Sequence, residues 1–162
     1  HSLAAAGALP AEFHARLRLL GYQVALAFDH YIHSLADHLA GLPGIRRVLY
    51  PLRPDHPDHN RAAALLGTRG GNMLSFEVEG GRAAANALTR AMPDLPFAPT
   101  LGDIGTILSH SASSSHRALS PEARAALGIT EGFFRVSVGV EDIALLTRDF
   151  AAGAAAARAA AR

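Results

Sequence analysis

Arg135 stands in the run FFRVSVGVED, whose aromatic and β-branched residues read as a strand. A guanidinium is a planar fork of donors that keeps its charge, and it meets a carboxylate with two parallel, charge-assisted bonds. The residue type alone allows two uses: a clamp on an anionic ligand, or one side of a structural ion pair at the surface. On composition alone the ion pair has the better claim. Thr100, in Thr100-Leu101-Gly102-Asp103, puts a hydroxyl beside a turn signal and reads either as a pocket residue or as a plain turn residue. His110 and His116 flank the run SASSS. A serine nucleophile with a histidine base could be drawn from that loop, but no G-x-S-x-G turn and no evident oxyanion hole accompany it. The preferred reading is a loop with structural histidines. Asp29, His33 and Asp37 fall at i, i+4 and i+8 of a helix, with His30 and His38 beside them. That spacing could suit a metal, but a solvated helix face with i,i+4 pairs explains it more simply, and no metal is expected. Gly70-Gly71 is no phosphate loop, because no G-K-[ST] follows it. One chemistry is excluded outright. All fifteen Lys-plus-Arg residues are arginines, so the chain has no lysine amine to form a Schiff base.

The elements that must position these residues follow from periodicity. Leu17, Leu20, Val24, Phe28, Tyr31 and Leu35 make one apolar stripe, which predicts a long helix over Pro10 to Ala40. Gly41-Leu42-Pro43-Gly44 ends it. Ile45 to Tyr50 is a short strand, Pro51 to His59 a proline-rich loop, and Asn60 to Leu66 a short helix. In the next strand, Asn72 to Glu79, the residues Leu74, Phe76 and Val78 share a buried face. A helix over Arg82 to Met92 follows, then an irregular piece and a strand over Thr106 to His110. Ser120-Pro121-Glu122 opens another helix, with Ser as N-cap and Pro in the first turn. Phe133 to Val138 is the last strand, and Glu141 to Arg162 is a terminal helix that runs out in alanines. The strands are half-polar rather than continuous Val/Ile runs. That favours a sheet covered on one side, hence an α+β two-layer domain.

With 162 residues, a single domain over 1–162 is expected, with segments 1–9 and 152–162 flexible. Apolar residues are 49% and charged residues 18% of the chain, enough for a core. The net charge is +1 with the arginines scattered, which argues against a nucleic-acid partner. The absence of cysteine excludes disulfides and thiolate metal sites. No apolar run reaches membrane-spanning length and the start carries no secretory pattern, so a cytoplasmic protein without a membrane partner is expected. The chain begins with His rather than Met, and the expectation is a tag remnant or a piece of something longer.

Four motifs, in order and at similar spacing, carry a family resemblance. They are LADHLAGLPGIRRVLYP with YPLRPDHPDHNRA, then GGNMLSFEVEGG, then TLGDIG through HSASSSH, then FFRVSVGVED. Together they resemble the C-terminal small domain of the trans-sulfuration enzymes of Cys/Met metabolism over roughly residues 16 to 150. The resemblance implies a mostly antiparallel four-stranded sheet covered by helices, as in the C-terminal domain of PLP fold type I. It implies pyridoxal phosphate (PLP), held by a lysine of a large domain that is absent from this chain. It implies that no catalytic group lies in the chain and that the substrate-binding residues are Arg135, Thr100 and Leu101. Arg135 would take the α-carboxylate of a sulfur-containing amino acid. The Asp55-His56-Pro57-Asp58-His59 cluster coincides with an ordinary loop of the family. Partners implied are the large PLP-binding domain and further copies in a homo-oligomer. The expected activity is a carbon–sulfur lyase, with this chain inactive alone. The alternatives are an O-acetylhomoserine sulfhydrylase-type transferase domain, a C–S lyase domain cut from a multidomain synthase, and a standalone non-catalytic binding domain.

Overall fold

The computed structural model describes residues 31–162. Asp29, His30, segment 1–9 and the early part of the predicted first helix, including Leu17, Leu20, Val24 and Phe28, lie outside the described residues. The described order alternates helix and strand throughout: α1 (described over 31–41), β1 (Ile45–Leu49), α2 (His59–Leu66), β2 (Met73–Val78), α3 (Gly81–Ala91), β3 (Ile107–His110), α4 (Pro121–Ala126), β4 (Phe133–Ser137) and α5 (Ile143–Ala160). Within the described residues, the boundaries predicted from the sequence hold to within a residue or two.

The four strands form one sheet in the order β1-β2-β4-β3, with every neighbouring pair antiparallel. One face is apolar. Val48, Leu74, Phe76, Val78, Leu108, Phe134 and Val136 are buried in a single cluster with Leu35 and Leu39 of α1, Leu88 of α3, and Leu146 and Phe150 of α5. Phe76 stacks on Phe134 at 5.2 Å and meets Phe150 edge-on at 5.8 Å, both favourable aromatic geometries. This is the α+β two-layer arrangement, with helices on one side of an antiparallel sheet. Helix starts follow local chemistry. Ser120 caps α4 by accepting the Ala123 amide at 3.2 Å with Pro121 just inside, and the Asp142 carboxylate caps α5 by accepting the Ala144 amide at 2.8 Å.

Part of the alanine-rich segment 152–162 is packed. Helix α5 runs to Ala160, and Gly153, Ala154 and Ala157 are buried. Small side chains let α5 lie close to α3: a Cβ on Gly153 would sit 2.7 Å from the Met92 sulfur and 3.2 Å from Leu88 Cγ. The alanines here are an interface whose smallness permits the approach. Among the described residues no helix is long and apolar enough to cross a membrane.

Candidate functional site

The sheet's other face is polar, and the register shows what it carries. Arg135 lies in β4 directly opposite Ser75 of β2 on one side and Ser109 of β3 on the other. Residues two apart on a strand share a face, so Ser137 stands beside Arg135, opposite Met73 and Ile107. On the far side is Phe133, opposite Glu77. Both direct cross-strand neighbours of Arg135 are serines, so neither offers it a carboxylate.

Glu77 is 3% exposed, yet it is not available to Arg135. Its carboxylate takes Arg47 Nε at 2.7 Å, Arg46 Nη1 at 3.3 Å and the Thr130 hydroxyl at 2.8 Å. Burying that charge requires such partners, and they come from the edge strand β1 and the β4 approach. Arg135 is left half-buried. Among the described residues it forms no ion pair, and one hydrogen bond holds it: Nη2 donates to the Thr100 carbonyl oxygen at 2.9 Å. The Thr100 backbone carbonyl thus holds the guanidinium, while Leu101 beside it is 58% exposed. Arg135 and Thr100, both expected from the sequence, are in direct contact, with Leu101 next in the chain.

Several residues that hold this corner were not singled out from the sequence. The buried Ser137 hydroxyl accepts the Gly102 amide at 3.2 Å and Asn72 Nδ2 at 3.3 Å. Beyond Gly102, Asp103 accepts the Gly105 amide at 3.0 Å, and Glu141 accepts both the amide and the hydroxyl of the buried Thr106, the latter at 2.8 Å. The Tyr31 hydroxyl donates to the Glu141 carbonyl, and burial first, then the charges of Glu141 and Asp142, push that phenol up to about 12. The period-2 spacing of Arg135 and Ser137 was the available signal for Ser137. The Asn72 and Glu141 contacts depend on loops meeting across the fold, which spacing does not reveal.

The other sequence candidates disperse. His110 lies on the apolar face against Phe134, with Nε2 donating to the Glu131 carbonyl at 2.9 Å and Nδ1 accepting from Ser113 at 2.7 Å. Its pKa is lowered, first by burial and then by the nearby Arg82 and Arg124 charges, against the opposing pull of the Glu131 bond. His116 bonds its neighbour Ser115 at 2.8 Å. His33 packs edge-on against Tyr50, Asp37 pairs with Arg53, and His38 bonds the Thr147 carbonyl at 3.1 Å. In the loop after β1, Asp55 is held low by its hydrogen bonds from Arg53. Among the described residues no three His, Cys, Asp or Glu side chains gather as a metal site.

Comparison with known proteins gives a consistent set of relatives. A family model described as Cys/Met metabolism PLP-dependent enzyme matches residues 28–155. The chain is 40% identical to O-succinylhomoserine sulfhydrylase of Pseudomonas aeruginosa over 159 residues, covering 95% of this chain and 39% of the relative. It is 37% identical to L-methionine gamma-lyase of Pseudomonas putida over 115 residues, 71% of this chain and 29% of that enzyme. Among solved structures, cystathionine gamma synthase from Xanthomonas oryzae pv. oryzae in complex with cystathionine superposes with a TM-score of 0.75 at 36% identity, covering 82% of this chain and 34% of that one. The chain thus spans well under half the length of these relatives.

Proposed function

The chain belongs to the Cys/Met metabolism PLP-dependent enzymes, and we propose that it is the substrate-carboxylate domain of a carbon–sulfur lyase of that family, with Arg135 as the clamp. One observation carries this reading: a half-buried arginine with no carboxylate partner among the described residues, one donor spent on the Thr100 carbonyl and the rest of its fork open. A guanidinium with donors left over is suited to complete itself with an anion. The α-carboxylate of an amino acid supplies a planar anion that matches the fork. Fixing it orients the Cα–H bond, and orientation is what this domain contributes to rate. Thr100 and Leu101 form the wall beside the clamp.

The residues present do not fit PLP as a covalently held group. The chain contains no lysine, and arginine is no nucleophile. In this proposal the cofactor-bearing lysine lies outside the chain, on a large domain, and the chain alone is inactive. The intact mass of the natural polypeptide tests that part: a mass close to the 16.9 kDa of this chain would instead make it a standalone binding domain.

The clamp is tested in the complete natural polypeptide with Arg135→Ala and Arg135→Lys. Charge-assisted hydrogen bonds contribute roughly 1.5–3 kcal/mol each, so the alanine variant should lower kcat/KM on its sulfur amino-acid substrate by about 10- to 100-fold. Lysine recovers only part of this, because it offers a point charge without the fork. Unchanged kcat/KM in both variants rejects the clamp. A second reading, a sulfhydrylase-type transferase domain, is favoured by the 40% identity to the Pseudomonas aeruginosa sulfhydrylase. The two share the clamp and differ in whether added sulfide is incorporated into product.

A further inference from the structure

We propose that Ser137, oriented by Asn72, is a positioning residue that sets the segment Thr100–Gly102 against β4 and thereby aims the Arg135 fork. The inference rests on the reading of Arg135 as a carboxylate clamp and extends it to residues that do not touch the ligand.

The segment is tied to β4 at two matched points. Thr100 O accepts from Arg135 Nη2 at 2.9 Å, and Gly102 N donates to Ser137 Oγ at 3.2 Å. Two residues of loop thus lie along two residues of strand, joined by side-chain bonds rather than by a backbone ladder. Packing does not hold this segment. Thr100, Leu101 and Gly102 are all exposed. A Cβ on Gly102 would meet nothing within 4 Å, and its φ of +84° marks a backbone conformation that glycine adopts without penalty. With neither burial nor crowding to fix the segment, its position depends on the hydrogen bonds.

Ser137 can serve as the fixed post. It is 1% exposed, in a central strand, with partners in β2 and β3 on either side. Asn72 Nδ2 donates to the same Oγ at 3.3 Å, and the Asn72 carbonyl accepts the Val138 amide at 2.9 Å, which anchors that side chain at its root. Two incoming donors fill the two acceptor sites of a hydroxyl oxygen, so the hydroxyl has a defined orientation. Loss of the post frees Gly102. The Thr100 carbonyl then no longer has a set place, and the bond that aims Arg135 loosens with it.

The test is direct binding to the complete natural polypeptide carrying PLP, measured by calorimetry. The probes are L-norleucine, which has the α-carboxylate and no sulfur to eliminate, and pentylamine, the same molecule without the carboxylate. Ser137→Ala should weaken norleucine about fivefold, the scale of one neutral hydrogen bond, and leave pentylamine unchanged. Asn72→Ala should act in the same direction, and Ser137→Thr, which keeps the oxygen, should restore binding. In an Arg135→Ala background, Ser137→Ala should add no further loss, as expected for residues acting through one another. Equal weakening of both probes by Ser137→Ala and Asn72→Ala, or of neither, overturns the positioning role if Arg135→Ala still weakens norleucine alone. If Arg135→Ala itself does not separate the two probes, it is the clamp that fails.

Discussion

Glu77 and Arg135 share one face of neighbouring central strands and are treated in opposite ways. The carboxylate is enclosed by two arginines and a threonine hydroxyl, while the guanidinium is given a carbonyl and two flanking serines. The register explains why they do not neutralise each other: Glu77 faces Phe133, and Arg135 faces Ser75. Close approach matters as much as charge at this corner. Gly139 donates its amide to the Thr106 hydroxyl at 2.9 Å, and a Cβ there would press on Gly105 C and Thr106 N at 2.5 Å. Those are backbone atoms and have no rotamer to escape into. Gly139→Ala should therefore cost about 1–3 kcal/mol, the range for overpacking a filled site. Urea unfolding should show this as a lower midpoint at unchanged slope.

At the scale of elements, the connection from β3 to α4 is a charged junction built on one buried imidazole. His110 ends β3, and Arg82, Arg124 and Glu131 surround it from α3, α4 and the approach to β4. Burial favours its neutral form, so its pKa lies below the ordinary 6.5. A lowered histidine contributes stability that is complete above the unfolded pKa and is lost as pH falls through the folded one. Glu131 adds a second, more acidic window. Its partial burial raises its pKa, but the bonds and charges of Arg124 and Arg82 outweigh this and leave it below 4.5, so its contribution fades only under stronger acid. Thermal unfolding at pH 7 and pH 5.5 should accordingly show a smaller loss of Tm for His110→Gln than for the parent chain. Equal losses would mean that His110 does not titrate differently on folding. Much at this scale was legible. Leu74, Phe76 and Val78 announce a half-buried strand because a strand's period is two, and Ser120-Pro121 announces a helix start because the serine hydroxyl accepts an exposed amide and the proline has no amide to leave unpaired. The His110 environment was not legible, because its partners lie on three other elements.

Across the whole molecule, long-range packing decides what local composition leaves open. Read locally, the alanine tail has little to bury, yet with α3 opposite it becomes a close-packed seam at Gly153, Ala154 and Ala157. Gly153→Leu would need the space of Met92 and Leu88, and should cost about 1–3 kcal/mol. Ala155→Leu, on the exposed side of the same helix, should change stability little; guanidinium unfolding of the two variants distinguishes a packed seam from a loose tail. The contact of Arg135 with the Thr100 carbonyl joins two of the motifs read from the sequence, whereas the contacts of Ser137 behind it required the fold. The strand order has one more consequence, for synthesis. β4 is the last strand in the chain but lies between β2 and β3, the two that precede it. Until β4 emerges from the ribosome, β3 has no strand to pair with, and an apolar face waits half-built. The arginine arrives with the strand that closes the sheet, so a nascent chain stalled before residue 133 has neither the guanidinium nor the completed sheet.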